Sequence, residues 1–232
     1  MKIKHGMILS AGLGKRMQPL TIKTPKPLLK VWGKTLLERA INLLLCHGVE
    51  NLSINIHHLG DQIEKYIYKF KSRANIEISS EKDLLLDTGG GVQKGTVQFD
   101  ENPFFVINPD TLWSDNYSKE VESLEKTYFK YKEPCLLLVN KELSLDKSFK
   151  GDFNLKDNLV LRDEQNQFIF TGLQIIKRAN LISPDKKVFS MNEVWNKLIY
   201  KKSLYGSESS QKFYHLNTLE MYKKISSLNF ID

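Results

Sequence analysis

Residues 7–29 read MILSAGLGKRMQPLTIKTPKPLL, and this stretch decides the fold. It begins as an apolar strand, turns at Gly12 and Gly14, and then carries the cations Lys15 and Arg16. Small residues in such a turn let backbone N–H groups come close to anionic oxygens. The stretch therefore predicts a phosphate-binding loop at the end of the first strand of an α/β sheet.

Two commoner phosphate loops do not fit this spacing. A Walker A loop needs Gly, four residues and then Gly-Lys-Ser/Thr, whereas Arg16 follows Gly14-Lys15 here and the earlier glycine is missing. A dinucleotide fingerprint needs a third glycine three residues after Gly14, where Met17 stands, and Pro19 opposes a helix that starts at once. A glycine turn followed by a solvated basic loop remains the plain alternative.

The stretch from Gly12 to Leu28 resembles the signature of the sugar-1-phosphate nucleotidyltransferases, Gly-x-Gly-x-Arg-Met-x-Pro-Leu-Thr followed by Pro-Lys-Pro-Leu. Over nearly the whole chain the resemblance is closest to the short N-acetylmuramic acid 1-phosphate uridylyltransferases of cell-wall recycling. Four further segments carry it: NIHHL at 55–59, LDTGGG at 86–91, GDF at 151–153, and FTG at 170–172 followed by FSMN at 189–192. Mannose-1-phosphate guanylyltransferases share the first loop but usually run longer.

Apolar strands and amphipathic helices alternate along the chain, which is typical of a mostly parallel sheet. The pattern predicts strands at 2–9, 51–57, 76–80, 103–108 and 135–140, and helices at 35–47, 60–70, 118–132, 191–201 and 218–225. Between them we expect a glycine cluster leading into a short helix at 87–94, short β segments at 149–176 forming a lid sheet, and a hairpin or loop at 204–213. The predicted fold is a Rossmann-like three-layer α/β architecture with a small β lid.

The 232 residues suit one domain, 1–232, with the lid and sugar-binding part at roughly 141–215. The net charge of +7 is spread along the chain without a block of like charges, so no nucleic-acid partner is required. Cys46 and Cys135 lie in apolar surroundings and are predicted to be buried thiols in a reducing cytosol. No signal peptide or membrane span is evident, and we expect a cytoplasmic monomer or small homo-oligomer.

Two further motifs are candidates for the chemistry. Consecutive glycines cost backbone entropy, so Gly89, Gly90 and Gly91 indicate close backbone approach, or else a flexible turn. Asp110 follows the most apolar strand, where ligands bind in open parallel sheets, and a carboxylate there suits Mg²⁺. Taken alone, an aspartate after a strand is more often a cap or turn residue. Asn108-Pro109-Asp110 resembles the family's Asn-Gly-Asp, with Pro109 in place of glycine.

The resemblance implies the roles of individual residues. Arg16, Lys26 and Asp110 would be catalytic. The nucleotide would lie against the two glycine loops, at Ser10, Ala11, Gly12, Gly14, Lys15, Arg16, Thr88, Gly89 and Gly90. The sugar phosphate would contact Lys26, Asn108, Gly151, Asp152, Thr171 and Gly172, although Asp152 also suits a turn. Asp110 and His215 would hold the metal, Mg²⁺ or Mn²⁺.

His215 stands where the family pattern has an aspartate, in Phe213-Tyr214-His215-Leu216-Asn217. Imidazole suits Mn²⁺ or Zn²⁺ better than Mg²⁺, so His215 either ligates a softer metal, reaches Mg²⁺ through water, or marks lost activity. It could also be a structural loop histidine.

The implied reaction joins a nucleoside triphosphate, with UTP favoured, to N-acetylmuramic acid 1-phosphate or a similar hexose phosphate, giving a nucleotide sugar and pyrophosphate. The alternatives are a nucleotide-sugar-binding regulator with a degenerate metal site, a mannose-1-phosphate guanylyltransferase, and a phosphocholine cytidylyltransferase.

Overall fold

A nine-stranded sheet forms the centre of the computed structural model, which describes residues 2–181 and 186–228. The strands are β1 (His5–Leu9), β2 (Lys30–Val31), β3 (Lys34–Thr35), β4 (Asn51–Ile56), β5 (Asn75–Ser80), β6 (Phe104–Ile107), β7 (Cys135–Asn140), β8 (Asn154–Lys156), β9 (Leu159–Leu161), β10 (Phe168–Ile176) and β11 (Tyr205–Ser209). The order in the large sheet is β5-β4-β1-β6-β10-β7-β11-β9-β8, and β2 and β3 form a separate ribbon.

The sheet is mixed, and its first half is parallel. Strands β5, β4, β1 and β6 pair in parallel, so their carboxyl ends share one edge. Strand β10 then lies antiparallel between β6 and β7, and β11 pairs in parallel with β7. The predicted Rossmann-like, mostly parallel sheet is confirmed.

The segment predicted as a lid differs from the expectation in how it is connected. Its longest strand, β10, is a central strand of the sheet, and β8 and β9 extend the same sheet at its edge. Residues 204–213, expected as a hairpin or loop, contribute strand β11. Within the predicted sugar-binding part, positions 182–185 lie outside the described residues.

Helices cover both faces of the sheet. They are α1 (Leu20–Lys23), α2 (Leu36–His47), α3 (Gly60–Ile67), α4 (Asp87–Gly95), α5 (Ser118–Tyr131), α6 (Met191–Tyr200) and α7 (Leu219–Ser226). Helix α2 is capped at both ends: Thr35 Oγ1 accepts from the Glu38 N–H at 3.0 Å, and Gly48 takes a left-handed φ of 104°. Of the helices in the described part, none has the length and hydropathy that a membrane crossing demands.

Alternation along β6 shows how the layers are built. Phe105 and Ile107 pack with α2, α3 and α5 on one face, and Phe104 and Val106 pack with α4 and α6 on the other. All four side chains are buried. A strand covered on both faces reads as a continuous apolar run, which is why residues 104–107 are apolar throughout. This arrangement confirms the three layers.

Two local expectations need correction. The glycines at 89–91 do not precede a helix but lie inside α4. Cys135 is buried as predicted, but Cys46 is exposed. Cys46 lies two residues beyond the buried Leu44, which turns it about 200° around the helix and away from the face that α2 buries.

Candidate active site

A cavity of about 640 Å³ opens where β1 and β6 end. Its wall combines the loop after β1, the segment around Lys26, the start of α4 and the turn after β6. Ten of the predicted site residues line it: Ser10, Ala11, Gly12, Gly14, Lys15, Arg16, Lys26, Thr88, Asn108 and Asp110. Ligands bind beyond the carboxyl ends of parallel strands, so the cavity lies where this fold places them.

The loop after β1 is held in shape by its glycine and by two hydrogen bonds. Gly14 has φ 62°, and a Cβ there would lie 2.9 Å from Thr21 Cγ2. The Gly14 carbonyl accepts from the Met17 N–H at 2.8 Å and from Thr21 Oγ1 at 2.9 Å. Among the described residues, no protein acceptor takes the N–H groups of Gly12, Leu13 or Gly14. They remain available to an anion.

Three cationic side chains line this cavity. Lys15 and Arg16 are exposed and form no ion pair with any residue that the structure describes. Lys26 follows Pro25, whose backbone is extended, and its Nζ donates to Asp110 Oδ2 at 2.7 Å. The predicted sugar-phosphate-binding cation Lys26 and the predicted metal-binding carboxylate Asp110 are therefore in direct contact at the cavity.

Asp110 is held ionised by its surroundings. Burial favours the neutral carboxyl. The positive charge of Lys26, the electrostatic interaction with His215 and the hydrogen bond from Lys26 together outweigh this effect and lower the pKa of Asp110 to about 2. Its Oδ2 pairs with Lys26, whereas Oδ1 is buried and has no hydrogen-bond partner among the described residues. A buried, unpaired carboxylate oxygen at a cavity wall needs a ligand to satisfy it.

His215 lies beside Asp110 because an isolated antiparallel bridge joins it to Thr111. Its Nε2 is 3.8 Å from Asp110 Oδ2, too long for a hydrogen bond, and its ring stacks on Phe213 with centroids 5.7 Å apart. Burial lowers the pKa of His215, and this effect outweighs the negative charge of Asp110, which would raise the pKa. The imidazole is therefore neutral at neutral pH. Its Nδ1 is buried and has no hydrogen-bond partner in the part of the chain that the structure describes.

The donor atoms here suit a metal that is held mainly by substrate. No group of three or more His, Cys, Asp or Glu side chains within the described residues could hold an ion alone. Asp110 Oδ1 and Asn217 Oδ1 are both buried, no residue within 2–181 and 186–228 hydrogen-bonds to either oxygen, and both residues line the cavity. Mg²⁺ in such sites uses one or two carboxylates together with substrate phosphates, which these oxygens fit.

Of the four glycines assigned to the nucleotide, the two in α4, Gly89 and Gly90, do not line the cavity. Gly89 and Gly90 donate their N–H groups to the Phe189 carbonyl at 2.9 and 3.1 Å. A Cβ on Gly90 would lie 2.1 Å from the Lys187 carbonyl oxygen. Thr88 does line the cavity, and its Oγ1 accepts from the Met191 N–H at 2.9 Å. These glycines let α4 approach the segment that leads into α6.

Four residues predicted to contact the sugar do not line this cavity: Gly151, Asp152, Thr171 and Gly172. Thr171 is buried and its hydroxyl donates to the Leu137 carbonyl at 2.8 Å, which fixes it within the sheet. Asp152 Oδ2 accepts from the Phe170 N–H of β10 at 2.9 Å, which ties it to a strand 18 residues further along the chain. Gly172 is close by: its carbonyl accepts from the Asn108 N–H at 2.8 Å.

Four polar cavity residues were absent from the predicted set: Asn55, Glu81, Asp87 and Asn217. Asn55 lies near the end of β4, and Glu81 follows β5 directly. Polar side chains at the ends of buried strands are a signal that sequence alone offers. Asn217 follows His215 by two residues, and its Nδ2 donates to Asp146 Oδ2 at 3.1 Å.

Comparison with known proteins identifies the family. The family model described as Nucleotidyl transferase matches residues 5–143. This chain belongs to the nucleotidyl transferase family. It is 30% identical over 203 residues to an N-acetylmuramate alpha-1-phosphate uridylyltransferase of Caulobacter vibrioides, covering 84% of each protein. A protein of the same description from Neisseria meningitidis is 34% identical and covered over 74% of each chain.

More distant relatives agree with the fold. A mannose-1-phosphate guanyltransferase of Hypocrea jecorina is 33% identical over 127 residues, which cover 53% of this nucleotidyltransferase and 34% of the relative. The crystal structure of a UDP-glucose pyrophosphorylase complexed with UDP-glucose superposes with a TM-score of 0.77 at 19% identity over 97% of both chains. The predictions of the fold and, at the level of the family, of a sugar-1-phosphate nucleotidyltransferase enzyme are confirmed.

Proposed function

We propose that this nucleotidyltransferase condenses UTP with N-acetylmuramic acid 1-phosphate, or a closely similar hexose 1-phosphate, and releases pyrophosphate. One observation carries the proposal: a single cavity brings together a glycine loop with unpaired N–H groups, the cations Lys15, Arg16 and Lys26, and the ionised Asp110. The relatives that cover most of the chain are described as N-acetylmuramate alpha-1-phosphate uridylyltransferases, which favours this sugar and this base.

The reaction asks for charge neutralisation rather than for an activated nucleophile. The sugar phosphate is already ionised at neutral pH, and one of its oxygens would attack the α-phosphorus of the triphosphate. The bond from that phosphorus to the bridging oxygen breaks, and pyrophosphate leaves with the electron pair. Two anions must approach each other, so the site has to supply positive charge to both.

Each cation has a place in this scheme. The N–H groups of Gly12 to Gly14, with Lys15 and Arg16, would bind the triphosphate, and Arg16 offers a planar fork that matches the oxygens of the departing pyrophosphate. Lys26, whose Nζ donates to Asp110 Oδ2, would bind the sugar phosphate. Asp110, with Asn217 and His215 beside it, would hold Mg²⁺ or Mn²⁺, which would neutralise phosphate charge.

The proposed substrates also suggest where the enzyme acts. Nucleoside triphosphates are cytoplasmic, and a sugar phosphate recovered from the cell wall would reach the enzyme there, so we propose a cytoplasmic role in nucleotide-sugar synthesis for cell-wall recycling. The organisation as one domain acting as a monomer or small homo-oligomer is part of the same proposal.

The test is pyrophosphate release from the purified chain with UTP, GTP or CTP, each paired with N-acetylmuramic acid 1-phosphate, mannose 1-phosphate or phosphocholine, in Mg²⁺ or Mn²⁺. We expect the fastest release with UTP and N-acetylmuramic acid 1-phosphate. Asp110→Asn should abolish it, whereas Asp115→Asn, which changes an exposed carboxylate, should not. Pyrophosphate release only with GTP and mannose 1-phosphate, or only with CTP and phosphocholine, would show that this pair, rather than UTP and N-acetylmuramic acid 1-phosphate, is the substrate pair. Tight nucleotide binding without release from any pair would favour the regulator.

A further inference from the structure

Asn55 and Glu81 connect the two glycine-rich segments of the cavity. The Ser10 N–H, in the loop after β1, donates to Asn55 Oδ1 at 2.7 Å. Asn55 Nδ2 donates to Glu81 Oε1 at 2.6 Å, and Glu81 Oε2 accepts from the N–H of Leu86, the residue before α4, at 2.9 Å. Three hydrogen bonds therefore run without interruption from one loop to the other.

This connection is buried and contains one carboxylate. Asn55 is 3% exposed and Glu81 is 1% exposed. Within the part of the chain that the structure describes, Glu81 forms no salt bridge, and its carboxylate is satisfied by the Asn55 amide and the Leu86 N–H. A carboxylate buried among neutral donors is costly, so its retention needs a reason.

The reason lies in the direction of the hydrogen bonds. An ionised carboxylate only accepts, so Asn55 must present its NH₂ group to Glu81 and keep its carbonyl oxygen for the Ser10 N–H. We propose that Glu81 is a positioning residue: by fixing the orientation of Asn55, it sets the first phosphate loop relative to α4 for binding the triphosphate. This proposal rests on the proposed function for its ligand, but not for its geometry.

Gly91 supports the same inference. A Cβ at this position would lie 2.8 Å from Asn55 Nδ2 and 2.9 Å from Glu81 Oε1. Both distances are shorter than a carbon atom tolerates against nitrogen or oxygen. The third glycine of α4, Gly91, therefore leaves room for this connection. Gly89 and Gly90 instead leave room for the chain segment that contains Phe189 to pack against α4.

Two single changes should break the connection, and their combination should restore it. Glu81→Gln leaves one acceptor for two N–H donors, so one donor meets the Gln NH₂ group. Asn55→Asp sets a second carboxylate against Glu81. When Asn55→Asp and Glu81→Gln are combined, the new carboxylate accepts from both the Ser10 N–H and the Gln NH₂ group, and the Gln oxygen accepts from the Leu86 N–H. The double variant also keeps the net charge of the wild type.

The experiment measures KM for UTP and for the sugar phosphate, thermal unfolding, and amide hydrogen exchange at Ser10 and Leu86. We expect each single variant to raise KM for UTP about tenfold while KM for the sugar phosphate changes less than about twofold. Combining Asn55→Asp with Glu81→Gln should return KM for UTP to within about threefold of the wild type. Glu77→Gln, an exposed carboxylate on β5, is the matched control.

Each outcome of this experiment either supports or overturns the positioning role of Glu81. A double variant as impaired as the sum of the single variants overturns the proposal, and so does a Glu81→Gln enzyme with wild-type KM for UTP. If a single variant fails to fold, recovery of folded protein in the double variant supports the connection, and failure of the double variant overturns it. If the wild type turns over no substrate pair, the proposed function fails, but faster exchange at Ser10 in Glu81→Gln and its reversal in the double variant still establish the connection.

Discussion

Lys26→Met should destabilise the protein in a way that depends on pH. The methionine keeps most of the length and apolar stem of the lysine but removes the charge that pairs with Asp110 Oδ2 at 2.7 Å. The pKa of Asp110 is lowered to about 2 from its ordinary value of 3.8; burial opposes this shift, and the Lys26 charge is the largest contribution that produces it. Without Lys26, burial should raise the pKa of this carboxyl.

The size and the sign follow from proton linkage. A difference of nearly two pKa units corresponds to about 2 kcal/mol of folding free energy, and the Asp110 side chain is only 23% exposed, so solvent screens little of it. Because the folded pKa is depressed, this stability is present above about pH 4 and is lost as the pH falls towards 2. Because burial raises the Asp110 pKa above 3.8 once Lys26 is gone, Lys26→Met should cost at least about 2 kcal/mol at neutral pH, and the cost should shrink as the pH falls below that raised pKa.

Urea unfolding of the wild type and Lys26→Met, from neutral pH down to about pH 3, measures this difference. Lys30→Met, which removes an exposed lysine that forms no ion pair among the described residues, is the matched control and should cost less than about 0.5 kcal/mol. A Lys26→Met penalty that stays constant over the whole pH range, or that is no larger than that of the control, would refute the reasoning.

Three further predictions concern the sugar-phosphate cation Lys26, the helix glycine Gly90 and the candidate metal ligand His215. Lys26→Ala should raise KM for the sugar phosphate more than KM for the triphosphate. If initial-rate kinetics showed the reverse, Lys26 would bind the triphosphate and the loop after β1 would bind the sugar phosphate. Gly90→Ala should destabilise the fold by about 1–3 kcal/mol, because its Cβ would lie 2.1 Å from the Lys187 carbonyl; thermal unfolding at the wild-type temperature would contradict this packing. His215→Asp should shift the metal preference from Mn²⁺ towards Mg²⁺, since carboxylate oxygen replaces imidazole nitrogen beside Asp110; an unchanged ratio of Mg²⁺ to Mn²⁺ rates would make His215 a structural histidine.

Local patterns predicted the parallel half of the sheet well. Strand β4 and helix α2 lie within a residue of their expected bounds, because period, cap and stop signals all act over a few residues. The placement of β10 could not be predicted in this way. Whether an apolar strand joins a lid or enters the centre of a sheet depends on partners far away in sequence, and here those partners are β6 and β7.

The glycines of α4 show a second limit. Each glycine in a helix costs about 1 kcal/mol relative to alanine, so three in succession argue against a helix on local grounds. Tertiary contact reverses this preference, because Gly89 and Gly90 lie against the backbone around Phe189, and Gly91 lies against Asn55 and Glu81. The glycines were correctly read as a point of close approach, but what approaches them includes other parts of the protein.

Pro109 shows why a departure from the family motif leaves the candidate metal end of the site intact. Proline removes one N–H from the turn, which would matter if that group tied the turn to its surroundings. The ties come from the neighbours instead: the Asn108 N–H donates to the Gly172 carbonyl at 2.8 Å, and the Asp110 carbonyl accepts from the Leu216 N–H at 2.8 Å. Because both residues flanking Pro109 are fixed through their own backbone groups, the turn loses no anchor, and the Asp110 carboxylate stays aimed between Lys26 and His215.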